Sequence, residues 1–231
     1  MKNIVFKFIN NHVNIIIIKS KKCKLLFYIT KMNSDASFNS EVSSDSDKDN
    51  EDNEKEEKNQ IDNLEILSSI NNSLSTVLEE NKKLKNYKEI IIKQNNMCFS
   101  ANSIPNITLY EYLIRIQKYT LIEGNTLILS VIYIDRLCQF GKITLTYYNI
   151  HRILFAAILI AIKYNEDEFY DNNYYAEIAG IKANELKFIE YNFFCICNFN
   201  LYVSDNVFRK YSRYLNKVDN KNESCKKEGF K

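Results

Sequence analysis

Three charged residues interrupt apolar helical rows and are the side chains best placed to do chemistry. Lys163 lies four and three residues after Leu159 and Ile160, so it continues the apolar face of a predicted helix. Glu190 and Asp135 interrupt two other apolar rows in the same way. Because an unpaired buried ion costs several kcal/mol, each of the three charges requires a partner.

Two kinds of partner would satisfy these charges. Internal pairing would join Asp135 to Arg115 or Arg136, and Lys163 to Glu190. Alternatively, Lys163 and Glu190 lie at the edge of the core and bind backbone and side-chain groups of another molecule. The spacing does not choose between these arrangements, although a lysine at the end of a long helix is also favoured by the helix macrodipole.

The sequence contains no catalytic or metal-binding pattern. The two histidines, His12 and His151, lie in an N-terminal segment and at the start of an apolar helix. Glycine-rich phosphate motifs are absent, NEDEFYD lacks EF-hand spacing, and none of the six cysteines forms a CxxC or zinc motif. We therefore predict a protein that is not an enzyme, with no metal or cofactor. Reduced cysteines would place it inside the cell, in the cytoplasm or nucleus.

Composition predicts an all-α protein. One proline and four glycines in 231 residues are too few for the tight turns of a β-rich fold. Apolar residues make up 45% of the chain, enough for one sizeable core. The formal net charge of +2 favours neither a nucleic-acid nor a membrane surface, so we predict no nucleic-acid partner.

The ends of the chain differ in composition from its middle. Residues 1–32 are basic and apolar, and no apolar run among them is longer than five residues, so we expect a tail without stable membrane insertion. A targeting sequence or a membrane-surface helix is the alternative. Residues 33–60 are acidic and serine-rich, which predicts a disordered linker. Residues 217–231 are expected to form a flexible tail.

Apolar periodicity predicts helices throughout the rest of the chain. Residues 61–95 contain an amphipathic helix that either packs on the folded domain or forms a short coiled coil. A third long helix is expected to begin behind Thr144 or Thr146, and a short fourth helix to end at Gly180. The six predicted helices after the amphipathic one are residues 107–120, 124–140, 146–164, 172–179, 182–198 and 205–215.

Four segments in combination resemble a cyclin box of the P/U type, the class typified by the phosphate-pathway cyclins. They are ITLYEYLIRIQKY, LILSVIYIDRL, NIHRILFAAILIAIKYNED and NNYYAEIAGIKANELKFIEYNFF. The resemblance covers residues 105–216. The His151-Arg152 pair at the start of the third helix is typical of the P/U class. It implies a single five-helix box, with the residue 61–95 helix added before it and a C-terminal helix after it.

The resemblance also implies a function and roles for individual residues. It implies the activating regulatory subunit of a cyclin-dependent protein kinase, in which Lys163 and Glu190 hold the kinase's regulatory helix. Arg115 and Asp135 would form an internal ion pair. The alternative function is a cyclin-fold adaptor or scaffold that acts without a kinase. The candidate apolar docking residues, from the third and fifth helices and the segment between them, are Phe155, Phe169, Tyr170, Phe193 and Phe194.

Overall fold

All regular secondary structure in the described part of the chain is helical. The computed structural model describes the backbone of residues 51–215 and the side chains of residues 63–215. The fold class predicted from the sequence is therefore confirmed. The helices are α1 (Glu51–Lys82), α2 (Tyr87–Gln94), α3 (Leu109–Thr120), α4 (Gly124–Gly141), α5 (Ile150–Asn165), α6 (Asn172–Ala179) and α7 (Ala183–Ile196), followed by α8 over residues 205–215.

Helix α5 is the centre of the fold. Its residues from Ile153 to Ile162 are all buried, as expected of a helix that is apolar on every side. Helices α4, α6 and α7 contact it, and α3 contacts α6. The five helices α3 to α7 therefore form the predicted box around α5, which places the polar C-terminal end of α5 at the rim of the bundle.

The N-terminal helix packs on this bundle. The buried residues Leu67, Ile70, Leu74 and Leu78 recur at spacings of three and four, and α1 contacts α3 and α4. The approach is close, since a Cβ added to Gly124 would lie 2.8 Å from Cδ1 of Ile66. Of the two alternatives for this helix, packing on the domain is the one that the structure shows.

The bounds of the N-terminal helix differ from those predicted. Helix α1 begins at Glu51, inside the segment predicted to be a disordered linker, and ends at Lys82 rather than continuing to residue 94. Glutamate and lysine, frequent after residue 50, are good helix formers, which the composition argument for disorder did not weigh. Residues 1–50 and 216–231, where the predicted tails and the rest of the linker fall, lie outside the described residues.

Local side-chain hydrogen bonds determine where α6 and α5 begin. Asp171 caps α6 by accepting a hydrogen bond from the backbone N of Tyr174, and Gly180 ends that helix with φ 72°, as predicted. Helix α5 begins at Ile150 and not at residue 146, because Oδ1 of Asn149 accepts a 2.8 Å hydrogen bond from the backbone N of Thr146. The asparagine thus stabilises a turn before the helix.

Candidate functional site

Lys163 and Glu190 meet at the rim of the bundle. Lys163 lies in the last turn of α5, and its Nζ is 2.7 Å from Oε1 of Glu190 on α7. The two side chains are 24% and 12% exposed, respectively. These residues are 27 positions apart in the sequence, and the packing of α7 against α5 brings them together.

A third residue, Asn172, completes the cluster. Its Oδ1 accepts a 2.7 Å hydrogen bond from Nζ of Lys163, and its Nδ2 donates a 3.1 Å hydrogen bond to Oε2 of Glu190. We call Lys163, Asn172 and Glu190 the charged triad. Sequence reasoning missed Asn172, because asparagine is so abundant in this chain that single asparagines carried no signal.

The charged triad has hydrogen-bonding capacity left over. An ammonium has three hydrogens, and within the described part of the chain Nζ of Lys163 uses two of them, on Glu190 and Asn172. A carboxylate offers about four acceptor positions, and the same contacts use two on Glu190. Since both side chains are partly exposed, the remaining donor and acceptors are open to a second molecule.

Exposed aromatic rings lie next to the triad in sequence. Tyr164, Phe169 and Tyr170 are 51%, 54% and 55% exposed, respectively, and follow Lys163 along the chain. The ring centroid of Tyr170 is 4.4 Å from that of Tyr174, so the segment is held against α6. Of the predicted docking residues, Phe169 and Tyr170 are accessible, and Phe194 is half-buried with its ring stacked on Phe199.

Two predicted docking residues belong instead to the core. Phe155 and Phe193 are only 2% and 0% exposed, so a partner cannot contact them in this fold. Phe155 packs near the ring of Tyr112, and Phe193 makes an edge contact with Phe99. Periodicity assigned both residues to apolar rows, but it does not distinguish the middle of a row from its exposed border.

The predicted ion pair between Arg115 and Asp135 does not form. Arg115 is exposed, and its Nη2 donates a 3.1 Å hydrogen bond to the carbonyl of Glu177 on α6. Asp135 is buried on α4 and accepts a hydrogen bond from the hydroxyl of Tyr211 on α8. The two side chains have different hydrogen-bond partners because Arg115 faces α6, whereas Asp135 faces the C-terminal helix α8.

The alternative partner for Asp135, Arg136, is also engaged elsewhere. Its two terminal nitrogens donate 2.8 Å and 2.7 Å hydrogen bonds to the carbonyls of Asn200 and Tyr202. Arg136 therefore tethers the segment between α7 and α8.

The start of α5 carries a second cross-helix ion pair. Nη1 of Arg152 lies 2.6 Å from Oε1 of Glu185 on α7 and donates to the carbonyl of Cys98. The neighbouring His151 contacts the carbonyl of Ile107 through Nε2 at 3.2 Å, and burial lowers its pKa. These contacts give His151 a structural role at the start of α5.

No other chemistry emerges from the described residues. Burial raises the pKa of the Cys98 and Cys197 thiols to about 11, so both remain protonated and unreactive near neutral pH. Among the described side chains, those of residues 63–215, no group of three or more His, Cys, Asp or Glu could hold a metal ion.

In the part of the chain that the structure covers, no helix has both the length and the apolar character needed to cross a membrane.

Comparison with known proteins identifies the class of protein that carries this fold. A family profile described as Cyclin matches residues 25–201, more than half of the chain, so the chain belongs to the cyclin family. The match begins well before residue 105, where the resemblance to the cyclin box begins, and it therefore takes in α2 and the part of the chain that forms α1.

Individual relatives narrow the class to the P/U type. The chain is 38% identical over 120 residues to Cyclin-U2-1 of Arabidopsis thaliana, covering 51% of this chain and 53% of the relative. It is 30% identical over 160 residues to Cyclin-U4-1 of the same plant, covering 68% and 79%. PHO85 cyclin-7 of Saccharomyces cerevisiae is 32% identical over 136 residues, covering 54% and 48%. The chain thus spans about half the length of several curated relatives.

Proposed function

We propose that this protein is the activating regulatory subunit of a cyclin-dependent protein kinase. The surface centred on the charged triad would bind the mobile regulatory helix of the kinase. The observation that carries the proposal is the position of Lys163 and Glu190, which stand on different helices, 2.7 Å apart and partly exposed. A cation and an anion displayed side by side can bind the unpaired backbone groups at one end of a helix together with a charged side chain beside them.

The charges suit a helical ligand for a physical reason. The C-terminal end of a helix carries unpaired carbonyls and partial negative charge, and its N-terminal end carries unpaired amides and partial positive charge. The free donor of Lys163 would bind such carbonyls, and the free acceptors of Glu190 would bind amides or a kinase lysine. Binding only the active arrangement of the kinase would shift its conformational equilibrium towards activity.

The exposed aromatic rings would supply the apolar part of the interface. Interface cores are enriched in aromatic residues, and Phe169 and Tyr170 are more than half exposed beside the triad. We include Tyr164 and the half-buried Phe194 in this surface and leave out the core residues Phe155 and Phe193.

The names of two relatives suggest which type of kinase to test. PHO85 cyclin-7 of Saccharomyces cerevisiae and PHO85 cyclin-like protein psl1 of Schizosaccharomyces pombe are both named for PHO85. A PHO85-type kinase is therefore the first probe. The protein itself would act as a regulator, with the chemistry performed by the kinase.

Binding and activation of purified yeast PHO85 by the full chain test this proposal. Lys163→Ala should weaken binding by at least thirtyfold, because truncating one partner of a desolvated charge pair costs about 2–5 kcal/mol. Lys118→Ala is the matched control, since Lys118 is an exposed lysine in the last turn of α3 and should leave binding unchanged. Full binding and activation by the Lys163→Ala variant would refute the role given to this surface.

One observation favours the second function, a cyclin-fold adaptor that acts without a kinase. Lys163 and Glu190 already pair with each other, so neither charge requires a foreign partner for its stability. Under this reading, affinity capture of the full chain would recover other proteins and no kinase, and the Lys163→Ala variant would capture the same set.

A further inference from the structure

We propose that Asn172 is a positioning residue that holds Lys163 and Glu190 in the geometry that binds the partner helix. This inference rests on the proposed function. It adds a residue from α6 to the two charges that α5 and α7 supply. The single amide contacts both charges, through Oδ1 to Nζ of Lys163 at 2.7 Å and through Nδ2 to Oε2 of Glu190 at 3.1 Å.

The chemistry of the amide allows only one useful orientation. Its oxygen accepts and its nitrogen donates, so the oxygen must face the ammonium and the nitrogen must face the carboxylate. The bridge is neutral, so it orders both charges and neutralises neither. A carboxylate in the same place would compete with a partner for Lys163 and would repel Glu190.

The backbone that carries Asn172 is itself held in place. Asn172 is the first residue of α6, directly after the cap residue Asp171, whose side chain accepts from the backbone N of Tyr174 at 2.9 Å. Tyr175, in the same helix, is 1% exposed. The amide is therefore supplied from an anchored helix end, which is what a positioning group requires.

Ordering matters most for the lysine. A lysine side chain has several freely rotating bonds and loses much conformational freedom when it is immobilised. If Asn172 already restricts Lys163 before the partner arrives, less freedom is lost on binding and affinity rises. Removing the amide leaves the contact between Lys163 and Glu190 without the third group that fixes both side chains.

The test is a double-mutant cycle on the affinity of the full chain for purified PHO85 kinase. Asn172→Ala should weaken binding about fivefold, the usual effect of losing one net hydrogen bond. In the Lys163→Ala background the same change should have a smaller effect, because Asn172 then has only Glu190 left to position. Asn173→Ala is the matched control: Asn173 is exposed, lies next in the sequence, and its side-chain amide donates a hydrogen bond to Asp171.

A second variant tests the hydrogen bond that Nδ2 of Asn172 donates to Glu190. Asn172→Asp keeps an acceptor for Lys163 but places a carboxylate against Glu190, so it should bind more weakly than Asn172→Ala. Circular dichroism and the melting temperature check that each variant is folded.

The outcomes separate this inference from the function on which it rests. If the wild type does not bind, or if Lys163→Ala binds fully, the proposed function fails. If Lys163→Ala loses binding while Asn172→Ala and Asn172→Asp bind like the wild type, only the inference fails. An equal loss from Asn172→Ala in both backgrounds would also overturn it, because the residue would then act through stability and not through Lys163.

Discussion

Two places in this molecule put a carboxylate on an apolar helical row, and the fold treats them differently. Asp135 is 2% exposed and accepts a hydrogen bond from Tyr211 on the C-terminal helix. Glu190 is 12% exposed and shares its contacts with Lys163 and Asn172 at the rim. The same sequence signal thus marks an interior contact that ties helices together and a surface contact that a partner can reach.

The contrast has an energetic side. Groups in the interior should determine whether the domain folds, because removing them leaves a cavity or an unsatisfied polar atom. Groups at the rim should affect folding little, since exposed ion pairs contribute about 0–1 kcal/mol. Variants of each region should therefore separate stability from partner affinity.

The largest effect is expected for a core phenylalanine. Phe193→Ala should lower the free energy of unfolding by about 4 kcal/mol, because it removes a fully buried ring. Phe169→Ala is the matched control, being the same change at a ring that is 54% exposed, and should alter stability by less than about 0.5 kcal/mol. Urea unfolding followed by circular dichroism measures both. Similar losses for the two variants would break the contrast between core and rim.

An intermediate effect is expected at the buried carboxylate. Asp135→Ala should destabilise the domain by about 3 kcal/mol, because it leaves a small cavity and leaves the hydroxyl of Tyr211 without this acceptor. Tyr211→Phe keeps the ring and should cost less. Kinase affinity, measured on folded protein at low temperature, should not change. If Asp135→Ala kept its stability but no longer bound the kinase, Asp135 would belong to the binding surface.

A smaller effect on folding, with a clear effect on binding, is expected at the rim. Glu190→Gln keeps the shape of the side chain and removes its charge, so stability should fall by less than about 1 kcal/mol. Affinity for PHO85 kinase should fall about tenfold, or about 1.4 kcal/mol, if the carboxylate binds amides or a lysine of the partner. Glu185→Gln, at the other cross-helix ion pair of α7, provides the comparison. Calorimetric titration with the kinase measures both affinities. An equal loss of affinity in Glu190→Gln and Glu185→Gln would contradict a specific role for the rim carboxylate.

Local sequence signals predicted the elements of this fold well. The apolar row of α5 and the glycine that ends α6 act within a few residues, so they are readable along the chain. The errors fell where two local preferences competed. Asn149 stabilises a turn and delays the start of α5, and the Glu- and Lys-rich segment after residue 50 is helical where its polarity suggested disorder.

The structure brings Lys163 and Glu190 together at the rim, separates Arg115 from Asp135, and buries two of the five predicted aromatic docking residues. Lys163 and Glu190 stood out because a charge on an apolar row is costly wherever it lies. Phe155 and Phe169 are the same residue type, yet one is buried in α5 and the other lies exposed in the segment after it. Burial depends on which neighbour packs against each ring, and a single sequence does not carry that information.

The sequence by itself determined that this protein is all-α and that Lys163, Glu190 and Asp135 need partners, because periodicity and the cost of buried charge are local and general. The cyclin box was predicted from the resemblance of four sequence segments to that family. Only the tertiary structure decided which partners the three charged residues take. It separated Arg115 from Asp135, joined Asp135 to Tyr211, and brought Asn172 between the two charges at the rim. The physical reason is that hydrogen bonds and ion pairs act over about 3 Å, whereas residues distant in the chain reach that range only after the helices have packed.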